Sequence, residues 1–299
     1  MSAITQLASV QRIDLDARRK GLGGSDIAAV LGISPYKSAY EVYEEKVNGY
    51  CKDLSNNEAV QSGIFLEDGI AKWYENIKGV GTFKPANMRI HKDYPFLIAN
   101  PDRLVAGKKI GVEIKNVGER SKHLWGEDGS QVVPDYYFLQ AAHYMLVLDY
   151  QAWDVVACIG GQELRTYRFE RDAEIDEIII QGASDFWRNH VEKRVEPAKD
   201  YSNSGVQELI KKKFNLVSDE VINLDEDDAY IATQWFEAKE DIKHYDNLRK
   251  ELEAKLLEAI GTAGKALLPD GGFLLRKRVE RKAYQVPASS YTTLSLKGV

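Results

Sequence analysis

The stretch Asn100-Pro101-Asp102-Arg103-Leu104-Val105-Ala106-Gly107-Lys108-Lys109-Ile110-Gly111-Val112-Glu113-Ile114-Lys115 decides how the rest of the chain is read. From Lys109 to Lys115 it alternates as a half-buried strand does, with Ile110, Val112 and Ile114 on one face and Gly111, Glu113 and Lys115 on the other. Phe96-Leu97-Ile98-Ala99 reads as a second short apolar strand with Asp102 at its end, and Ala106-Gly107-Lys108 supplies the turn between them. A hairpin of this kind brings Asp102 near Glu113. Two carboxylates about 4 Å apart repel by roughly 4 kcal/mol at an effective dielectric near 20, so the pair calls for a cation or a shared proton. Oxygen ligands favour a hard ion, Mg²⁺ first.

The 299 residues, 44% hydrophobic and 29% charged, are enough for one large domain or two. No apolar run reaches membrane-spanning length and residues 1–20 lack a signal-peptide pattern, so a cytoplasmic protein without a membrane partner is expected. Cys51 and Cys158 lie far apart without CxxC spacing, which argues against a thiolate metal centre or a disulfide framework. The net charge of −6 speaks weakly against a general nucleic-acid coat, but basic residues are locally concentrated. Arg103, Lys108, Lys109, Lys115, Arg120 and Lys122 surround the acidic pair, and Arg276, Lys277, Arg278, Arg281 and Lys282 mark the tail. An acidic metal site within a basic track is what an enzyme acting on DNA needs.

Residues 25–78 read as mostly helical, opening at the capping pair Ser25-Asp26, with further helices at 38–47 and 57–77. Strands are expected within 82–115, a loop at 117–134, and a helix at 134–149 opened by Pro134. Strands at 152–159 and 164–169 and a helix at 173–195 complete the body. Beyond Pro197 a polar stretch reads as linker, and apolar residues spaced by three or four predict a long amphipathic helix over 226–260, followed by a basic hairpin from 272–279 and 282–286. The expected organisation is a domain over 1–197, a linker over 198–225 and an extension over 226–299.

These strings resemble a known family. Asp102 with Glu113-Ile114-Lys115 looks like the PD-(D/E)XK nuclease signature. Arg18-Arg19-Lys20-Gly21-Leu22-Gly23-Gly24-Ser25-Asp26, continuing through Leu31-Gly32-Ile33-Ser34-Pro35-Tyr36, resembles the opening motif of YqaJ-like viral recombinase nucleases, relatives of the phage lambda exonuclease. Gly63 to Glu67 is similar to that family's G-x-x-x-E helix, and Gln140 to Tyr144 to its Q-x-x-x-Y helix. The resemblance covers roughly residues 12–195 and implies an α/β fold with a restriction-endonuclease-like core, a mixed central sheet flanked by helices, extended by the C-terminal long helix and basic β-hairpin.

The same resemblance implies a Mg²⁺-dependent 5′ to 3′ exonuclease, with Mn²⁺ substituting, acting on ends of linear double-stranded DNA. It leaves a 3′ single strand for an annealing protein of the RecT or Red-beta type, and phage or prophage origin and a homo-oligomer, a trimer, go with it. Asp102, Glu113 and the Ile114 carbonyl would hold the ion, with Glu67 assisting; Lys115 would orient the attacking water, Gln140 would position Lys115 or a water, and Tyr144 would support that face. Arg18 and Ser25 would contact the 5′-phosphate, with Arg19 the alternative one position on. Asn100 stands where the lambda-type enzyme has a serine and is the matching DNA-contact candidate without the hydroxyl, while Ala142 stands where several relatives carry a second glutamine. Two other readings stay open: an endonuclease or structure-specific nuclease on the same core, and a catalytically silent DNA-binding or assembly module.

Overall fold

The structure is a computed structural model that describes residues 17–50, 52 and 54–280. The chain divides into two compact units, Met1–Lys211 and Lys212–Val299.

The first unit opens with helices α1 (Gly24–Val30) and α2 (Ala39–Tyr43), the latter running into a wide helical turn over Glu44–Asn48. Ser38 and Glu41 cap α2 reciprocally, as a side-chain pair three residues apart can. Helix α3 (Glu58–Lys78) starts where the Asn57 side chain accepts the Val60 amide and stops at Gly79, whose φ of 61° only glycine adopts without cost. The strands β1 (Thr82–Phe83), β2 (Arg89–Ile90), β3 (Ile98–Ala99), β4 (Arg103–Val105) and β5 (Ile110–Val117) follow. Helix α4 (Asp135–Leu148) crosses from β5 to the parallel strand β6 (Ala152–Ile159), which pairs antiparallel with β7 (Glu163–Glu170) before helix α5 (Ala173–Phe186).

The central sheet has the order β1-β4-β5-β6-β7, with β5 and β6 parallel and the other neighbours antiparallel. The mixed α/β architecture expected, a mixed sheet flanked by helices, is therefore present. Strand β6 reads Ala-Trp-Asp-Val-Val-Ala-Cys-Ile because helices cover both its faces. Trp153, Val155 and Ala157 join Ile27, Met145 and Ile179 in one core, whereas Val156 and Cys158 join Val112, Ile114, Ile70 and Tyr74 in the other.

The hairpin differs in detail from the expectation. Strand β3 pairs with β2 in a separate ladder, and the partner of β5 begins at Arg103, with Arg103 opposite Val112 and Leu104 opposite Gly111. Asp102 thus precedes the hairpin strand instead of ending one. The alternation of β5 is as read: Val112 and Ile114 pack against α3, while Glu113 and Lys115 meet α4. At Gly111 a Cβ would lie 2.2 Å from the Trp153 indole, so glycine there makes room for the largest buried side chain of the core.

The polar stretch 198–225 read as linker contains a helix, α6 (Ser204–Lys213), whose Val206 and Leu209 bury against Tyr40. The second unit, described by itself, holds helix α7 (Glu226–Ile260) and the hairpin β8 (Lys265–Leu267) with β9 (Phe273–Leu275). The hairpin lies upstream of the expected one, turned by Leu268-Pro269-Asp270-Gly271-Gly272, in which the Gly272 amide donates to the Asp270 side chain. The expected second strand, 282–286, with Arg281 and Lys282, lies outside the described residues, as does Cys51. Among the described residues no helix is long and apolar enough to cross a membrane.

Candidate active site

Asp102 sits in the turn into β4, and its Oδ2 accepts the Ile114 amide at 2.8 Å. That bond takes the place of a strand partner where β4 has already diverged from β5. Burial, with the negative charge of Glu113 adding to it, pushes the Asp102 carboxyl up to about 8, although Lys115 and the Ile114 amide oppose the rise.

Glu113 is 2% exposed. Its Oε1 accepts both the Lys115 ammonium and the Gln140 amide nitrogen, each at 2.6 Å. Its Oε2 is buried and has no hydrogen-bond partner among the described residues. A carboxylate oxygen taken out of water without a donor or cation is costly, so this atom marks a place where a cation fits.

Lys115 is held three ways. Besides Glu113, its ammonium donates to Gln140 Oε1 at 3.1 Å and lies 4.5 Å from the centroid of the Tyr137 ring. Gln140 and Tyr144 stand one turn apart on α4, and the Gln140 amide nitrogen also donates to the Tyr144 hydroxyl at 3.1 Å. The Tyr144 hydroxyl in turn reaches the Asn100 carbonyl at 3.5 Å, and its ring packs on Trp153. It is therefore the Asn100 backbone that joins this network, while the residue itself is exposed.

Glu67 is drawn elsewhere. Its Oε1 accepts Arg103 Nη1 at 2.7 Å and Lys84 at 3.0 Å, and the same guanidinium bonds to Asp68 and to the Asp102 carbonyl. Glu67 is close enough to Asp102 to help raise its pKa, but among the described residues no three His, Cys, Asp or Glu side chains are grouped for one ion. Asp102, Glu113, Lys115, Gln140 and Tyr144 come together; Glu67 stands at the edge, neutralised by two cations.

A cleft of about 340 Å³ adjoins this cluster, lined by Arg18, Ser25, Tyr36, Lys37, Tyr136 and Tyr137 as well as Gln140. Arg18 lines it, whereas the Arg19 guanidinium lies against Gly49, where a Cβ would come within 2.8 Å. Ser25 is exposed as the second residue of α1, and Gly23, not Ser25, is the N-cap, with its amide donating to Asp26 Oδ2 at 3.1 Å. Asp26 is buried between Lys37, which lines the cleft, at 2.9 Å and Lys46 at 2.7 Å.

Residues 15–151 match the family described as the YqaJ-like viral recombinase domain. The protein YqaJ of Bacillus subtilis (strain 168), uncharacterized, is 30% identical over 241 residues, 80% of this chain and 75% of that one. The chain belongs to the YqaJ-like viral recombinase family. It is also similar over 50 residues to protein D345L of African swine fever virus (strain Badajoz 1971 Vero-adapted), at 48% identity, covering 17% of this chain and 14% of that one. Among solved structures, an alkaline exonuclease from Laribacter hongkongensis aligns with a TM-score of 0.49 and 19% identity over 67% of this chain and 96% of its own.

In this YqaJ-like chain three contacts went unread in the sequence. Arg103 clamps Glu67 from 36 positions away, a distance no local pattern reveals. Tyr137 carries Lys115, and its place three residues before Gln140 was a usable signal, since the two share a helix face. Gly24 lets α1 close onto α4: a Cβ there would sit 2.8 Å from both Gln140 Cγ and Tyr144 Cε1.

Proposed function

We propose that this protein is a metal-dependent nuclease that degrades linear double-stranded DNA from the 5′ end and leaves a 3′ strand for a single-strand annealing protein of the RecT or Red-beta type. The observation that carries the reading is the buried Glu113 Oε2, which has no hydrogen-bond partner among the described residues although Lys115 and Gln140 occupy Oε1, beside a buried Asp102 carboxyl that is pushed up to about 8 even with Lys115 nearby.

Asp102, Glu113 and the Ile114 carbonyl would hold Mg²⁺ or Mn²⁺, with Glu67 reaching the site only by giving up Arg103. A divalent ion bound there would stabilise the charge that develops on the scissile phosphate. The Lys115 ammonium, fixed by Glu113, Gln140 and the Tyr137 ring, orients the attacking water and offsets phosphate charge without reorganising. Gln140 locks both Glu113 and Lys115 in place, and Tyr144 anchors Gln140. Arg18 and Ser25 in the adjoining cleft take the 5′-phosphate, Arg18 as the charged partner. A nuclease domain over 1–197, an extension over 226–299, a ring-shaped trimer and a place in the cytoplasm of a phage-bearing cell belong to the same reading.

The test is degradation of linear duplex carrying either a 5′-phosphate or a 5′-hydroxyl, beside a closed circle, with Mg²⁺ or EDTA, for the wild type and Lys115→Ala. Metal-dependent loss of the linear 5′-phosphorylated duplex, abolished in Lys115→Ala, is expected. Cutting of the closed circle moves the protein to the endonucleases, and no cleavage at all leaves a silent DNA-binding module.

A further inference from the structure

Helix α7 spans 35 residues and buries none of them. Its apolar positions step by four and three through Ile231, Trp235, Ala238, Ile242 and Tyr245, then on to Leu252 and Leu256; Arg249 occupies the seven-residue position between them, with Leu248 beside it on the flank. Ile231, Ile242 and Tyr245 are each more than 60% exposed. A stripe that keeps a seven-residue period over four turns or more is the seam of a coiled coil, with Trp235, Ile242, Arg249 and Leu256 at one set of positions and Ile231, Ala238, Tyr245 and Leu252 at the other.

We propose that this seam pairs antiparallel with the same helix of a second copy of the chain. The charges decide the occupant and its direction. In a parallel pair Arg249 stands opposite Arg249 across the seam and Asp241 flanks the partner's Asp246, so neither position gains an opposite charge from the second copy. Turning one helix around replaces both like-charge juxtapositions. With the two-fold axis passing between Lys243 and His244, Ile242 meets Tyr245, Trp235 meets Leu252, Ile231 meets Leu256, and Arg249 meets Ala238, a long side chain opposite a small one. Lys239 then flanks Asp246 of the other copy, and symmetry makes this pair twice.

The geometry within one helix suits this arrangement. The Arg249 guanidinium is tied to Asp246 at 2.9 Å and Glu253 at 3.0 Å, both on the same flank of the seam, which draws the charge to the edge and lays the aliphatic stem over the seam. Lys239 lies over its own Trp235 ring, 5.1 Å from the centroid, at the rim where the opposing Asp246 would arrive. Lys239 and Asp246 are seven residues apart, about 10 Å along one helix, so they do not pair within a chain; Asp246, held on its own helix by Arg249 at 2.9 Å and Lys250 at 2.6 Å, would take the opposing Lys239 as a further cation.

The test is sedimentation equilibrium of the full chain at micromolar concentration, comparing the wild type with Lys239→Glu, Asp246→Lys and the double variant, with far-UV circular dichroism as the folding control. The wild type should show a concentration-dependent doubling of mass, whatever assembly the rest of the chain makes. Each single reversal should weaken the doubling by roughly tenfold, since two ion pairs become two repulsions, and the double variant should restore it. A wild type that never doubles would overturn the proposal and leave the stripe to another surface. So would a double variant no better than the singles, because only an antiparallel pair brings positions 239 and 246 together.

Discussion

The Lys115 ammonium lies on the face of the Tyr137 ring, 4.5 Å from its centroid, and Tyr137 is itself stacked on Trp125 at 5.5 Å. The aromatic pair forms a wall that directs the ammonium toward Glu113 and Gln140. A partly desolvated cation on a ring contributes about 1–2 kcal/mol. Tyr137→Leu is therefore expected to lower kcat for DNA cleavage by roughly tenfold, while Tyr137→Phe, which keeps the ring, stays within about twofold of the wild type. Equal losses in both variants would show that the hydroxyl, not the ring, matters.

Gly24 sits where α1 touches Gln140, which braces Glu113, and Tyr144, which anchors Gln140. Gly24→Ala places a methyl 2.8 Å from Gln140 Cγ and Tyr144 Cε1, and overpacking of this kind costs about 1–3 kcal/mol. Urea unfolding should report that loss. Cleavage should fall further than stability accounts for, because the displaced Gln140 is one of the groups that hold Lys115.

Asp26 gives the fold a pH dependence. Burial opposes its ionisation, but the Lys37 and Lys46 ammoniums overcome this and hold the carboxyl well below the usual carboxylate range. A folded-state pKa depressed below the unfolded value of about 3.9 stabilises the protein fully above that pH and loses the contribution as pH falls below it. Asp26→Asn leaves the buried Lys46 with a weakened partner set and is expected to cost roughly 3–5 kcal/mol at neutral pH. The gap between wild type and variant, measured by urea unfolding, should hold from pH 8 to about pH 5 and shrink below pH 4.

Much of the site was legible because its parts obey short periods. Glu113 and Lys115 share a strand face two residues apart, which local spacing placed, while Gln140 and Tyr144, four apart on one helix face, were marked by the family resemblance. What local spacing could not carry was the meeting of elements. That Asp102 enters β4, instead of ending a strand before it, depends on β3 pairing with β2. That Glu67 is taken by Arg103 depends on α3 packing over β5, beside which β4 carries Arg103. Two signals were present and misread. Pro269-Asp270-Gly271 is a turn sequence that centres the last hairpin on residues 268–272, and Val206 with Leu209 is the apolar step of a short helix within the polar stretch.

The proposed chemistry depends on a cation bound beside Glu113. Titration of Mn²⁺ into the wild type, Glu113→Gln and Asp102→Asn, read by calorimetry and by the rise in Tm, tests it most directly, because an ion bound only by the folded site stabilises by mass action. Saturable binding and a raised Tm in the wild type, both lost in Glu113→Gln and Asp102→Asn, is the predicted result. A wild type that binds no Mn²⁺, or a Glu113→Gln variant that binds it as the wild type does, would contradict it.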